Sequence, residues 1–242
     1  IHIVGDPRFD SVSDRVRRVQ GDDPLLRWGA GAPTLVAGST WPLDERIVLQ
    51  AFRLVRQRHA DARLIVVPHE PTAEHLSRLE QMVLRLGLPD AVRLSAASSA
   101  VPLLVVDRVG ALAALYGAGT MAYVGGGFGT AGLHSVLEPA AWGIPVAFGP
   151  RWRQSRDAGL LLDARAAVAL PGGKGSAPGR ALSVQWERWI VDEAARREQG
   201  NRAASVVEDG RGASGRTAAL LEQLISQRRP RRSPPAAPAA RR

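Results

Sequence analysis

Short apolar runs alternate with amphipathic stretches along most of the chain, and this alternation is its main structural signal. The apolar runs are three to five residues long and rich in β-formers, and they predict strands at 34–37, 64–67, 92–94, 103–106, 121–124, 144–148 and 167–170. The stretches between and after them predict helices at 43–58, 72–86, 110–116, 155–163, 182–199 and 214–226. The order is βαβα, which favours an α/β fold: a Rossmann-like open parallel sheet with helices on both faces.

The same pattern divides the chain into three parts. Residues 1–33 are predicted to be an interdomain linker and entry segment, with a strand or linker at 1–5. Residues 34–226 are predicted to be a single Rossmann-like domain, and residues 227–242 a basic Arg/Pro/Ala tail that is disordered by composition. Because the chain begins at Ile1, we expect it to be a fragment whose N-terminal domain is missing.

Polar and glycine residues follow four of the predicted strands. In open α/β sheets ligands bind outside the carboxyl ends of the strands. The residues that this rule places on one edge are Gly38, Ser39, Thr40, His69, Glu70, Asp107, Arg108 and the run 125–132.

The glycine run at 125–132 is the strongest local candidate for a ligand site. It follows a strand and precedes a predicted helix start, so its bare amides suit an oxyanion. We expect the helix to place His134 and Glu138 one turn apart on the same face.

Two known phosphate-binding motifs, the dinucleotide-binding motif and the P-loop, are only partly matched by this sequence. Residues 127–132 formally match the dinucleotide pattern G-x-G-x-x-G, but the next strand ends in Phe-Gly-Pro without the acidic residue that holds a ribose. The run 172–176 contains Lys174 but lacks the spacing of a P-loop. A plain turn is the alternative interpretation of the glycine run.

Composition narrows the function classes. The chain has a formal charge of +9, but six arginines lie in 228–242, so the rest is only mildly basic. No cysteine is present, which excludes a disulfide framework and thiolate chemistry. No apolar run is long enough for a membrane span.

Six ordered motifs together resemble one family. They are Val-Gly-Asp-Pro-Arg-Phe-Asp at 4–10, Ala-Gly-Ser-Thr-Trp-Pro-Leu-Asp-Glu at 37–45, Val-Pro-His-Glu at 67–70, the segment 107–116, Tyr-Val-Gly-Gly-Gly-Phe-Gly at 123–129, and 134–150 with its Leu-Glu-Pro-Ala-Ala core. The chain resembles the C-terminal, donor-binding half of 3-deoxy-D-manno-octulosonic acid (Kdo) transferase, a lipid A glycosyltransferase.

This resemblance implies the second half of a GT-B enzyme that transfers Kdo from CMP-Kdo to a lipid A precursor with inversion, in lipopolysaccharide biosynthesis. It implies no cofactor and no metal. The catalytic base and the acceptor site are expected in the missing N-terminal domain, so this chain would hold no catalytic residue and would be inactive alone. The expected location is the cytoplasmic face of the bacterial inner membrane, with an anionic membrane surface as a further partner.

The resemblance also implies roles for individual residues. Glu138 would accept hydrogen bonds from the ribose hydroxyls, and His134 and Ser135 would face the phosphate or Kdo, although the family often has Asn where Ser135 stands. The loop at Asp107 would read cytosine through its backbone. The other implied donor contacts are Gly38, Ser39, Thr40, His69, Glu70, Gly126, Gly127 and Gly129.

Five of these residues also have a purely structural interpretation. Glu138 could complement a helix dipole, His134 could cap the helix, and Ser39 and Thr40 could be ordinary turn residues. His69 is equally typical of a surface histidine.

Three other functions stay open. The chain could be a GT-B domain for a UDP-sugar, a catalytically silent nucleotide-binding module, or a nucleic-acid binder that uses its arginines. The chain has no interleaved aromatic stripe for base stacking, so we expect no specific nucleic acid as a partner.

Overall fold

A seven-stranded parallel sheet forms the centre of the computed structural model, which describes residues 1–19, 21–173 and 175–228. The strands are β1 (Thr34–Thr40), β2 (Arg63–Pro68), β3 (Val92–Arg93), β4 (Leu103–Val105), β5 (Met121–Val124), β6 (Val146–Phe148) and β7 (Ala167–Ala169). The helices are α1 (Pro7–Arg18), α2 (Pro42–Arg56), α3 (Ala73–Arg85), α4 (Leu112–Leu115), α5 (Leu137–Ala141), α6 (Arg156–Asp163), α7 (Ala177–Val191), α8 (Glu193–Asp209) and α9 (Ala213–Arg228). The predicted α/β fold class is confirmed.

The order of the strands locates the switch point of the sheet. The order is β3-β4-β2-β1-β5-β6-β7, so β1 pairs with β2 on one side and with β5 on the other. Because all the pairs are parallel, the segments that follow β1, β2, β4 and β5 leave the sheet at one edge. The predicted common edge is confirmed.

The core lies on both faces of the sheet because alternate strand residues point in opposite directions. On one face Leu35 and Tyr123 pack with α2, α3 and α7. On the other face two clusters form, one around Val124 with α1, α5, α6 and α8, and one around Val36 with Trp28 and α4. Strands covered on both faces explain why the apolar runs are nearly continuous.

The first 33 residues are not the linker that the sequence predicted. Phe9 and Val12 of α1 belong to the same buried cluster as Val124 and Phe148, and Trp28 is 3% exposed in another part of the core. Asp6 accepts the N–H of Arg8 and so caps α1, whose Pro7 needs no donor at the first position. Residues 1–6 form no strand.

Three further boundaries differ from the prediction. The segment 182–199 contains two helices rather than one, because Asp192 ends α7 and its side chain caps α8 through the N–H of Ala195. The glycine run is followed by four more non-helical residues before α5 begins at Leu137. Of the predicted tail at 227–242, only the first two positions, which end α9, lie within the described residues.

Within the described part of the chain, no helix combines the length and the apolar character that crossing a bilayer requires.

Candidate functional site

The candidate site lies at the carboxyl edge of the sheet, where β1 is flanked by β2 and β5. The chain leaves β1 through Ser39, which has a positive φ of 51°, and the pairing of β1 with β2 becomes irregular between Gly38 and Thr40. Open α/β sheets bind their ligands in the crevice at such a switch point.

Close packing requires glycine at positions 125, 126 and 127 of the run at this edge. A Cβ on Gly125 would lie 2.2 Å from the carbonyl oxygen of Ser39, and one on Gly126 would lie 1.9 Å from that of Gly132. A Cβ on Gly127 would lie 2.7 Å from the backbone nitrogen of Gly149. Side chains are therefore excluded here whether or not a ligand binds.

The same packing limits which amides a ligand can reach. The N–H of Gly125 donates to the carbonyl of Gly38 at 2.9 Å, and the N–H of Gly126 donates to Asp44 at 3.0 Å. The N–H of Gly126 is thus already engaged, contrary to the expectation that it contacts the ligand. Gly38 is also buried, and a Cβ at this position would clash with the hydroxyl of Tyr116.

Asp44 in the first turn of α2 joins three elements of the site. Its carboxylate accepts hydrogen bonds from the Tyr123 hydroxyl at 2.6 Å, from the N–H of Gly126 and from the N–H of Trp41 at 3.1 Å. The side chain is 1% exposed. Burial of a carboxylate is tolerated here because donors surround it, and the result fixes α2 against the glycine run.

Trp41, His69 and His134 form an aromatic cluster at the switch point. The rings of His69 and His134 stack with centroids 4.3 Å apart, and the Trp41 ring lies 4.9 Å from that of His69. Three side chains from segments far apart in sequence therefore form one wall beside Gly126.

The Trp41 indole determines the tautomer of His134. Its Nε1–H donates to Nε2 of His134 at 3.0 Å. An indole N–H can only donate, so this nitrogen accepts and the neutral imidazole carries its proton on Nδ1. Burial lowers the pKa of His134, and the nearby His69 lowers it further, so both favour this neutral form.

Thr40 does not face the ligand crevice, contrary to prediction. It is fully buried, and its hydroxyl donates to Oε1 of Glu45 at 3.1 Å. The same oxygen of Glu45 lies 2.8 Å from Nε2 of His75, whose Nδ1 donates to the carbonyl of Glu70. Burial raises the pKa of Glu45, and His75 opposes that rise. This contact between Glu45 and His75, the Glu45 pair, therefore anchors the loop that carries His69.

Glu138 remains accessible at the edge, as the second residue of α5. Its Oε1 accepts from Nη1 of Arg15 in α1 at 2.7 Å, and the two side chains are 20% and 53% exposed. Burial raises the pKa of Glu138, while Arg15 lowers it.

The expectation that His134 and Glu138 share one helical face is wrong. The segment that carries His134 is non-helical, and the N–H of His134 donates to the carbonyl of Gly125 at 3.2 Å. Gly132, with a φ of 88°, turns the chain back over the glycine run, which delays the start of α5.

The remaining predicted residues lie around this centre. Asp107 follows β4 and accepts from the N–H and the hydroxyl of Ser95, beside a cavity of about 320 Å³ that Trp28 and Arg108 also line. Glu70 and Ser135 are exposed. The carbonyl of Gly129 accepts from Arg151 at 3.1 Å.

The described residues contain no group of three or more His, Asp or Glu side chains placed to hold a metal ion.

Comparison with known proteins adds the sequence relationship. No family model matches the chain. A 3-deoxy-D-manno-octulosonic acid transferase from Aquifex aeolicus is 33% identical over 123 residues, which are 51% of this chain and 33% of that protein. One from Haemophilus influenzae is 24% identical over 234 residues, which are 94% of this chain and 52% of that protein. The chain is a relative of the Kdo transferases.

The fold agrees with this relationship. The crystal structure of the C-terminal CMP-Kdo binding domain of WaaA from Acinetobacter baumannii matches with a TM-score of 0.64 at 19% identity, over 84% of this chain and 99% of that one. At this identity the match establishes the fold, that of the C-terminal half of a GT-B protein. The chain spans about half, or less, of the length of these two Kdo transferases.

Several side chains of the site were not predicted as site residues. Trp41 and Asp44 lie inside the motif at 37–45 that resembles the Kdo transferases, and that motif was the available signal. Arg15 lies in α1, and no pattern in the sequence connects it to Glu138, 123 positions away.

Proposed function

We propose that this protein is the donor-nucleotide domain of a glycosyltransferase that moves Kdo from CMP-Kdo to a lipid A precursor. One observation carries the proposal: in a relative of the Kdo transferases, a solvent-accessible carboxylate, Glu138, lies in the first turn of the helix that follows the glycine run at the switch point. An ionised carboxylate is suited to accept hydrogen bonds from the two ribose hydroxyls.

The nucleotide would lie along the carboxyl edge. The cytosine occupies the cavity beside Asp107, where backbone groups of the loop after β4 can read its polar edge. The ribose contacts Glu138 after displacing Arg15 from one carboxylate oxygen. The phosphate meets the amides after Gly126 and the Nδ1–H of His134, a donor that the Trp41 bond makes available.

In the transfer step the acceptor oxygen forms a bond to the anomeric carbon of Kdo as the bond from that carbon to the phosphate oxygen breaks. The bonding electrons leave with CMP, and the hydroxyl proton passes to a carboxylate of the acceptor-binding domain. This chain would hold the leaving nucleotide in place, without a metal ion or cofactor.

Ligand-dependent stabilisation tests the donor assignment. A ligand at 100 times its dissociation constant raises the free energy of unfolding by about 2.7 kcal/mol. We expect CMP and CMP-Kdo to raise the thermal unfolding midpoint, with or without EDTA, and UDP and UDP-N-acetylglucosamine to leave it unchanged. Protection by the UDP compounds alone would replace this proposal with the UDP-sugar alternative. CMP binding with no transfer by a protein that also contains the acceptor domain would indicate a silent binding module.

We also propose that the protein works at the cytoplasmic face of the inner membrane and that its arginine-rich positions 227–242 contact anionic lipid. The full chain should sediment with vesicles that contain phosphatidylglycerol at low salt, and a chain that ends at 226 should not. Equal sedimentation of both chains would exclude the tail as the contact.

A further inference from the structure

A cavity of about 390 Å³ lies between the glycine run and the segment that follows β6. Its walls include Gly129 and Thr130 on one side and Arg151, Arg153 and Gln154 on the other. None of the residues on the β6 side belongs to the predicted nucleotide site.

The two walls are held together by backbone and side-chain bonds. The N–H of Arg151 donates to the carbonyl of Gly127 at 2.9 Å, and its Nη1 donates to the carbonyl of Gly129 at 3.1 Å. The close contact of Gly127 with Gly149 fixes the same two segments. The guanidinium of Arg151 is therefore oriented by the loop that would hold the phosphate.

The cavity is basic. No Asp or Glu is among the described residues that line it, and a neighbouring cavity of about 500 Å³ shares Arg151, adds Arg46 and likewise has no acidic residue in its described lining. Elsewhere on this domain arginines near the edge are paired, Arg8 with Asp157 and Arg15 with Glu138. Among the described residues, neither Arg151 nor Arg153 has an acidic partner within salt-bridge distance.

We propose that this cavity recognises a carboxylate on the donor sugar through Arg151 and Arg153, which makes them the residues that select an acidic sugar over a neutral one. The inference rests on the proposed function. In CMP-Kdo the sugar carboxylate is attached to the anomeric carbon, which also bears the phosphate oxygen. A phosphate on the glycine run therefore brings the carboxylate to this side of the edge, where a guanidinium fork matches its two oxygens.

The charge of the cavity also bears on the type of donor. A neutral hexose offers hydroxyl groups, which need acceptors as well as donors, whereas guanidinium groups only donate. Two arginines without a nearby carboxylate are better matched to a sugar that brings its own negative charge.

The test compares the affinities of CMP and CMP-Kdo for the full chain and three single variants, by calorimetry. Arg151→Gln and Arg153→Gln each remove one guanidinium from the cavity. Arg153 makes no hydrogen bond to the glycine run within the described residues, and its guanidinium lies over the Trp152 ring at 5.6 Å, so it tests the idea without altering the loop. Arg53→Gln is the matched control, because Arg53 is exposed in the last turn of α2, at the opposite end of that helix from the edge.

We expect the unaltered chain to bind CMP-Kdo more tightly than CMP. Each cavity variant should bind CMP-Kdo about tenfold more weakly, as expected for loss of a charged hydrogen bond, while the affinity for CMP stays within about twofold. Arg53→Gln should match the unaltered chain for both ligands.

Other outcomes overturn the inference. An unchanged CMP-Kdo affinity in both cavity variants would exclude a carboxylate contact, and equal losses for CMP and CMP-Kdo would assign the arginines to the phosphate; either result leaves the proposed function standing. Absence of CMP and CMP-Kdo binding by the unaltered chain would refute the proposed function together with this inference.

Discussion

Glu45 and Glu138 are two partly or fully buried carboxylates at the same edge, and the contrast between them separates structure from function. Burial raises the pKa of both, and each lies within hydrogen-bond distance of a basic side chain. Glu45 is 1% exposed and its oxygen is shared by Thr40 and His75 inside the fold. Glu138 is 20% exposed and is paired with an arginine that is itself half exposed.

The difference shows how one edge can be both rigid and receptive. The Glu45 pair and Asp44 are fully occupied by protein donors, so they hold the loops after β1, β2 and β5 in place. Glu138 can exchange Arg15 for another donor at small cost in free energy, because an ion pair with a half-exposed arginine contributes little to stability.

The largest expected effect is a loss of stability on replacing Asp44, whose carboxylate is fully occupied by protein donors. Asp44→Asn should lower the free energy of unfolding by about 3 kcal/mol, because an amide cannot accept from three donors and buries N–H groups of its own among them. Urea denaturation at pH 7 measures this change. Asp61→Asn, at an exposed position, is the control and should stay within about 0.5 kcal/mol of the unaltered chain. An equally small change in Asp44→Asn would contradict the conclusion that Asp44 fixes α2 against the glycine run.

Replacement of the accessible carboxylate, Glu138, should change ligand affinity rather than stability. Glu138→Gln should weaken CMP binding about thirtyfold, or about 2 kcal/mol, because charged hydrogen bonds to the ribose become neutral ones. Calorimetric titration gives the affinity, and the unfolding midpoint should change little. Glu74→Gln, which alters an exposed carboxylate on α3, serves as the control. An unchanged CMP affinity in Glu138→Gln would place the ribose elsewhere.

Glu45 should reveal itself through pH. Since burial raises its folded pKa above the ordinary value of 4.5, its contribution favours the folded state below pH 4.5 and is lost as the pH rises through the raised pKa. Glu45→Gln should remove that component of the pH dependence and change stability at pH 7 by no more than about 1.5 kcal/mol. Denaturation series from pH 4 upward, on both proteins, measure the two curves. Parallel curves would show that Glu45 does not titrate differently on folding.

Trp41 is hydrogen-bonded to both Asp44 and His134, and its replacement should have a smaller effect on CMP binding than that of Glu138. Trp41→Phe keeps a ring beside His69 but removes the N–H, so His134 should lose its preference for the proton on Nδ1. Long-range proton–nitrogen NMR of the histidine rings reads the tautomer directly. We expect the binding free energy of CMP to weaken by about 1 kcal/mol in this variant. A wild-type spectrum with the proton on Nε2 would contradict the assignment.

Arg15 should have the smallest effect on stability. Arg15→Gln should change the free energy of unfolding by less than about 1 kcal/mol, because its guanidinium is half exposed. Arg15 lowers the pKa of Glu138, so its removal should move the acid loss of CMP binding to higher pH. Affinity measured across a pH series checks the direction, and an unmoved acid limb would mean that Glu138 is not the titrating group.

Residues whose role follows from local pattern were predictable, and residues whose role depends on long-range packing were not. The strands around the switch point were correctly placed because apolar runs of β-formers covered on both faces leave a clear pattern. The edge that collects Ser39, His69 and the glycine run followed from the rule for parallel sheets.

The misassigned residues share a physical cause. Thr40 has the same local sequence whether its hydroxyl faces a ligand or Glu45, and only the tertiary position of α3, which brings His75, decides between them. The sequence pattern predicts a linker in place of helix α1 because the apolar face of this helix is narrow, with Phe9 and Val12 its only buried apolar residues. Gly132 redirects the chain after the glycine run, so α5 begins later than the pattern indicated.

The most direct test of the central claim is a titration of the isotopically labelled chain with CMP, followed through its backbone amide resonances. If the switch-point edge binds the nucleotide, the largest changes will fall in 107–111 and 126–138, will saturate together with one dissociation constant, and will be absent with UDP. Changes that cluster away from this carboxyl edge, or none at CMP concentrations that stabilise the protein, would contradict the account.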